Sequence, residues 1–237
     1  MQNLILTRHG QSLWNKEKRF TGWADIGLSE KGKSEAKYAG NLIKELNIEL
    51  DVCFTSVLKR AVNTLKIILK TLNREELKIV AAWEFNERHY GNLTGLNKDE
   101  ILKKHGEKQV KIWRRSFSVP PPPMDSGNPY NESIYSNITK IKMPQSESLK
   151  DTFERVVPYY KKNIEPLILL KKNILISAHG NSLRALCKKL FNISEKNIAN
   201  FEIPTGNPLL IRFKNNLEIK DCKYLDNTRA KKILHNI

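Results

Sequence analysis

Three cysteines in 237 residues are too few for a disulfide framework. Cys53, Cys187 and Cys222 are odd in number, widely spaced and set among apolar residues, so they read as reduced core residues rather than a zinc site. Glycine and proline are sparse too, at 11 and 10 residues, which excludes a collagen-like or broadly disordered chain. Long hydrophobic runs are missing. The longest candidate, Pro166 to Leu170, stops at Lys171-Lys172, far short of the ~18 residues of a membrane span. Strand-like sequence begins at Asn3, leaving no room for a signal peptide, so the expected location is the cytoplasm and no membrane partner is expected. Acidic residues are in deficit: 25 Asp and Glu face 41 Lys and Arg, a formal net charge of +16. That balance suggests an anionic partner. Nucleic acid would call for a basic stripe interleaved with aromatics. The cations here are mostly lysines spread in ones and twos along the chain, which suits a solvated surface around a small anionic site, and no nucleic-acid partner is expected.

What is present is an alternation of strands and helices. Leu4 to Thr7 is a continuous apolar run, as in a strand covered on both faces. Ser29 is placed to cap a helix carrying Ala36, Ala39, Gly40 and Ile43 at helical spacing. Val52 to Thr55 is a second strand, followed by a helix with Ala61, Leu65, Ile68 and Leu72 on one stripe, and Leu77 to Ala81 a third strand. Ile174 to Ala178 is the clearest strand, and Leu183, Leu186, Cys187 and Leu190 mark the helix after it. Pro208 to Phe213 and Leu217 to Tyr224 supply two more strands. The expected fold is an α/β three-layer sandwich with a mostly parallel central sheet flanked by helices, plus a helical and loop cap insertion. The cap covers about 91–143, with a helix pair near Lys98 to His105 and Glu107 to Ser116, then four prolines from Pro120 to Pro123. One domain over 1–237 is expected, with a tail at about 225–237.

Two of these strands end in His-Gly: the first delivers Arg8-His9-Gly10-Gln11-Ser12, the fourth His179-Gly180-Asn181-Ser182. Ligands of open α/β sheets bind beyond the carboxyl ends of the strands, so both imidazoles are expected in one crevice. A glycine after each histidine is expected to admit a ligand and to leave its N–H open. Arginine beside a metal-ligand histidine would repel a cation, so Arg8 argues for an anion and no metal is expected. Arg60 falls in the first turn of the helix leaving the second strand. A surface ion pair is its bland reading, and an anion contact beside a helix N-terminus the functional one. With phosphate between the arginines, His9 is the candidate nucleophile and His179 a donor to the phosphoryl oxygens. Glu87, the carboxylate of Asn86-Glu87-Arg88-His89-Tyr90-Gly91, is the candidate acid and base for the leaving oxygen.

Those residues extend to a wider resemblance. The runs Arg8 to Asn15, Arg19 to Trp23, Leu28 to Gly32, Thr55 to Ala61, Asn86 to Gly91, Gly95 to Lys98, Trp113 to Arg115, Ser146 to Leu149, Ala178 to Arg184 and Pro204 to Gly206 are similar to those of cofactor-dependent phosphoglycerate mutases of the histidine phosphatase superfamily. The resemblance implies interconversion of 3-phosphoglycerate and 2-phosphoglycerate in glycolysis and gluconeogenesis, primed by 2,3-bisphosphoglycerate. It implies His9 as the phosphorylated residue, Glu87 as proton donor and acceptor, and His179 as transition-state stabiliser. Arg8, Asn15, Arg60, Gly180 and Asn181 would surround the moving phosphoryl group. Thr21, Gly22, Arg88, Tyr90, Lys98, Arg114 and Arg115 would hold the rest of the substrate. Gly10, Gln11, Ser12, Leu13, Trp14 and His89 come with the same runs as substrate contacts. The family is often a homodimer or homotetramer. Two stretches depart from its wording, Met124 to Lys142 and the tail from Tyr224. They leave the balance of mutase to phosphatase activity open, and a share of bisphosphoglycerate synthase activity as well.

Overall fold

The structure, a computed structural model, describes residues 2–131 and 143–230. Among them six strands form one sheet: β1 Gln2–Arg8, β2 Val52–Thr55, β3 Ile79–Ala81, β4 Ile174–Ala178, β5 Leu209–Phe213 and β6 Ile219–Tyr224, in the order β3-β2-β4-β1-β5-β6. β3, β2, β4 and β1 pair in parallel, while β5 runs antiparallel to both β1 and β6. The mostly parallel α/β architecture expected from the sequence is the one observed.

The strands read as apolar runs because both faces of the sheet are covered. Leu4 and Leu6 of β1 join Ile174 and Ile176 of β4 and Leu209 and Ile211 of β5 in one core. Their neighbours Ile5, Leu175 and Leu210 point into the other. The first core is closed by α5 (Leu149–Asn163), α6 (Glu165–Leu169) and α7 (Gly180–Leu190), the second by α2 (Glu30–Lys44) and α3 (Lys59–Leu72). Ser29 caps α2 as expected, accepting from the Gly32 N–H at 3.1 Å. All three cysteines are buried and unpaired.

Two glycines let the first loop seat against α2. A Cβ on Gly10 would lie 2.1 Å from the Gly32 carbonyl oxygen, and one on Gly32 2.0 Å from that of Gln11. Contacts that short have no side-chain solution. The expectation that Gly10 keeps an open N–H is therefore corrected: its N–H donates to Thr64 Oγ1 at 3.1 Å, and the glycine is there for the close approach of α2.

The segment after β3 leaves the alternation. α4 (Lys98–Arg115) is one helix in outline but breaks at Gly106, with φ 76° and ψ 158°, which is where the expected helix pair divides. Phe20, Leu93, Ile101 and Val110 pack as a small separate core under it, with Trp113 against them. Among the described residues there are also the short helices α1 (Leu13–Lys16) and α8 (Glu195–Ile198) and 3-10 turns at Trp83–Phe85, Gly91–Leu93 and Asn227–Arg229. Of the expected cap, 132–142 lie outside the described residues, as do 231–237 of the tail.

Candidate active site

The β1–β4 register decides where the histidines go. Arg8 pairs with Ala178, so the next residues, His9 and His179, leave adjacent strands side by side. Their rings meet edge-on with centroids 4.9 Å apart. His9 opens on a cavity of about 290 Å³ lined by Arg8, His9, Asn15, Thr21, Gly22, Arg60, Glu87, Tyr90, Lys98, Arg114, Arg115, Gly180 and Asn181, all expected, and by Arg19, Phe20, Arg184, Glu202 and Ile203, which were not; His179 is wholly buried behind His9.

His9 Nδ1 lies 2.7 Å from the Gly10 carbonyl oxygen. A carbonyl can only accept, so the ring proton sits on Nδ1 and the Nε2 lone pair is left for chemistry. Burial, then the Arg60 and Arg8 charges, hold the His9 pKa well below the usual imidazole value, so the ring is neutral at pH 7. His179 is depressed by the same burial and by Arg60. Its Nε2 meets Ser56 Oγ at 2.7 Å, while Nδ1 is buried without a protein partner.

Both arginines of the cluster are fixed through backbone carbonyls. Arg60 donates to Ala24 O at 2.9 Å and to Gly22 O at 2.7 Å, and burial lowers its pKa only to about 10, so it stays charged. Arg8 donates to Ile203 O at 3.0 Å and keeps a buried Nε with no protein partner. The sequence suggested that amides at the amino end of α3 meet an anion, but the first of them is already taken. The Lys59 N–H is bound by Asp25 Oδ1 at 2.6 Å, and what reaches the cavity from α3 is the Arg60 side chain. The helix end at the cavity belongs to α7, through Gly180 and Asn181. Glu87 Oε1 accepts the Asn181 N–H at 3.1 Å and its neighbour Arg88 N–H at 2.8 Å, which aims one carboxylate at this end.

The outer wall is cationic. Lys98 is buried enough to lower its pKa, with Arg114 and Arg8 acting in the same direction. Burial also lowers Arg184, to about 10; it donates to Asn181 Oδ1 at 2.7 Å, and Asn181 Nδ2 to the Tyr90 hydroxyl at 3.2 Å. Arg115 pairs with Glu202 at the rim. Seven cations (Arg8, Arg19, Arg60, Lys98, Arg114, Arg115, Arg184) thus face two carboxylates, Glu87 and Glu202. The sequence offered no separate mark for Arg184. It lies one turn beyond Asn181, on a helix stripe that otherwise reads as core.

Eight expected site residues lie off the lining: His179, behind His9, and Gly10, Gln11, Ser12, Leu13, Trp14, Arg88 and His89. Gln11 accepts from Ser29 Oγ at 2.9 Å, tying the first loop to the α2 cap, and Ser12 caps α1. Leu13 is exposed, and Trp14 packs under the Arg19 guanidinium at 4.5 Å. Arg88 is wholly buried, donating to Arg114 O at 3.2 Å beneath the outer wall. His89 is turned away, packed on Trp23, with burial lowering its pKa to about 4. Among the described residues no group of three or more His, Cys, Asp or Glu side chains is placed to hold a metal ion.

Known proteins are similar to this chain in sequence and in fold. The chain is 52% identical over 237 residues to the 2,3-bisphosphoglycerate-dependent phosphoglycerate mutase of Pelagibacter ubique, a match covering 99% of each. It is 50% identical over 225 residues to the protein of the same name from Treponema denticola, covering 94% of this chain and 91% of that one. Among solved structures, a mycobacterial glucosyl-3-phosphoglycerate phosphatase aligns over 94% of this chain and 97% of its own with a TM-score of 0.72. At 20% identity that likeness speaks for the fold alone. Residues 4–220 match the histidine phosphatase superfamily (branch 1), and the chain belongs to that superfamily.

Proposed function

We propose that this chain interconverts 3-phosphoglycerate and 2-phosphoglycerate, in glycolysis and gluconeogenesis, through transfer of a phosphoryl group to and from His9. Relatives of about half identity over nearly the whole chain carry the name of that activity. The observation that carries the residue roles is the meeting of a neutral His9, Arg8, Arg60 and Glu87 at a single cavity, with a neutral His179 edge-on behind His9. The donor set also fits the priming phosphoryl donor. Two phosphates and a carboxylate bring about four to five negative charges, against a net of five positive charges in the lining. Arg8 Nε, His179 Nδ1 and Thr21 Oγ1 are buried polar atoms that a bound anion would satisfy.

When bound, 2,3-bisphosphoglycerate supplies the phosphoryl group that primes the protein. Every other task falls to side chains. His9 Nε2 forms the bond to phosphorus in line as the ester P–O bond breaks. Arg8, Arg60 and His179 bind the equatorial oxygens as charge builds on them. Glu87 gives its proton to the departing alkoxide oxygen and takes one back from the hydroxyl that attacks next. Lys98, Arg114 and Arg115, with Arg19 and Arg184 beside them, hold the remaining anionic groups, and Tyr90 and Asn181 the space between. No step in this scheme needs a metal ion.

The chain is read as one domain whose inserted segment carries Arg114 and Arg115 to the cavity. Among the described residues no helix is long and apolar enough to cross a membrane, and the three unpaired buried cysteines support a reducing compartment, the cytoplasm. Family resemblance supports a homodimer or homotetramer, which sedimentation equilibrium reads directly. The activity is tested by following isomerisation and release of inorganic phosphate in one assay. Isomerisation is expected to dominate; phosphate release without isomerisation would make the chain a phosphatase.

A further inference from the structure

The run Ser146-Glu147-Ser148-Leu149 carries part of the family resemblance, yet none of it lines the cavity. Glu147 forms a buried pair with Arg155 of α5: Nε to Oε1 is 2.6 Å and Nη2 to Oε2 2.9 Å, with side chains 5% and 8% exposed. Buried ion pairs are poor sources of net stability, because desolvation offsets the attraction. This one is distinguished by what else it binds.

Arg155 Nη1 donates to Glu84 O at 2.5 Å and to Asn86 O at 3.1 Å, and Nη2 donates to Glu87 O at 3.0 Å. Glu147 Oε2 accepts the His89 N–H at 2.8 Å, and the Glu147 N–H donates to His89 O at 2.9 Å. The Trp23 indole N–H closes on Glu87 O as well. Trp23 and Trp83 stand 5.6 and 5.9 Å from the guanidinium and shield it. The peptides on both sides of the Glu87 Cα are therefore tied to one fork, which is rigid because a guanidinium and a carboxylate are both planar. The Glu87 side chain lies outside the fork, its Oε1 held by two N–H groups at the cavity.

We propose that the Arg155–Glu147 pair is a positioning device that fixes the main chain on either side of Glu87 so that its carboxyl meets the leaving oxygen of the phosphate ester. The inference rests on the reading of Glu87 as proton donor. Neither member touches the cavity, so neither is a catalytic residue.

The test is a double-mutant cycle in the full chain, assayed with 3-phosphoglycerate and 2,3-bisphosphoglycerate. Arg155→Lys keeps the charge and loses the fork; Glu147→Gln keeps the shape and loses the charge. Each is expected to lower kcat about 10- to 100-fold with KM within about threefold. Added to Glu87→Gln, each should lower kcat by less than about twofold further, since the group they position is already disabled. A merely structural role would lower kcat by the same factor in both backgrounds, and that result overturns the proposal. A slow Glu87→Gln beside an Arg155→Lys of wild-type kcat overturns the proposal alone, whereas a wild-type kcat for Glu87→Gln removes the reading beneath it too. Hydrogen exchange on the wild-type chain needs no variant. The His89 amide is expected among the slowest to exchange, and fast exchange there would show the fork open and the proposal wrong.

Discussion

At the scale of single residues, the proposed chemistry turns on two imidazoles kept neutral and one carboxylate brought to them. His9→Ala is expected to leave less than about a thousandth of wild-type turnover, because covalent transfer needs the ring nitrogen; a steady-state assay with more activity than that would name another nucleophile. Glu87→Gln should slow transfer about 10²- to 10⁴-fold, read as kcat at saturating substrate. His89 gives a prediction about stability. Its pKa of about 4 lies below the ordinary value of 6.5, because burial penalises the charged ring. Between those values the unfolded chain binds a proton that the folded chain refuses, so stability is intact above about pH 6.5 and lost as the pH falls. The slope is about 1.4 kcal/mol per pH unit from this group, and His9 and His179 act in the same sense. Thermal unfolding of the free protein should show Tm falling from pH 7 to pH 5, less steeply in His89→Asn; equal slopes would remove His89 from the account. Much of the site was legible at this scale, because strand-end histidines beside arginines carry their chemistry in the residue type. What could not be read was direction. In Asn86 to Gly91 the sequence cannot tell that Glu87 and Tyr90 face the cavity while Arg88 and His89 turn into the packing.

Elements place those residues. The parallel register of β1 and β4 brings the two histidines together, and slipping either strand by one residue would send its histidine to the other face. The first loop is held against α2 by the contact of Gly10 with Gly32, where no Cβ fits. Gly32→Ala should cost about 1–3 kcal/mol of stability, the usual toll of overpacking, seen as a lower midpoint in urea unfolding with an unchanged slope. An unchanged midpoint would mean that the loop shifts freely. The strands and the helices α2, α3, α4 and α7 were readable from period and caps, down to the division of α4 at Gly106. The helix α5 was not, because Pro158 lies inside it and proline normally ends a helix. Tertiary burial of Val156, Val157 and Tyr160 holds that helix across the break, and with it Arg155.

For the whole molecule, charge is the governing quantity. The formal +16 is spread over a lysine-rich surface, while the lining concentrates seven cations around two carboxylates. Such a field draws small anions in and weakens with salt, so kcat/KM for 3-phosphoglycerate should fall as ionic strength rises at constant pH. A flat dependence would confine the charge to local contacts. Activity is expected to be unchanged by EDTA, and its loss with recovery on added Mn²⁺ or Mg²⁺ would contradict the metal-free scheme. The sequence made the anionic partner readable, though not the gathering of Arg19, Arg184 and Glu202 at the cavity, since they come from three segments that only folding brings together. All of this depends on a phosphoryl group residing on one ring. The most direct measurement is to expose the protein to 2,3-bisphosphoglycerate, digest it, and map any acid-labile, base-stable phosphate by peptide mass. A single adduct on His9 is expected; an adduct on another residue, or none, would rule out transfer through His9.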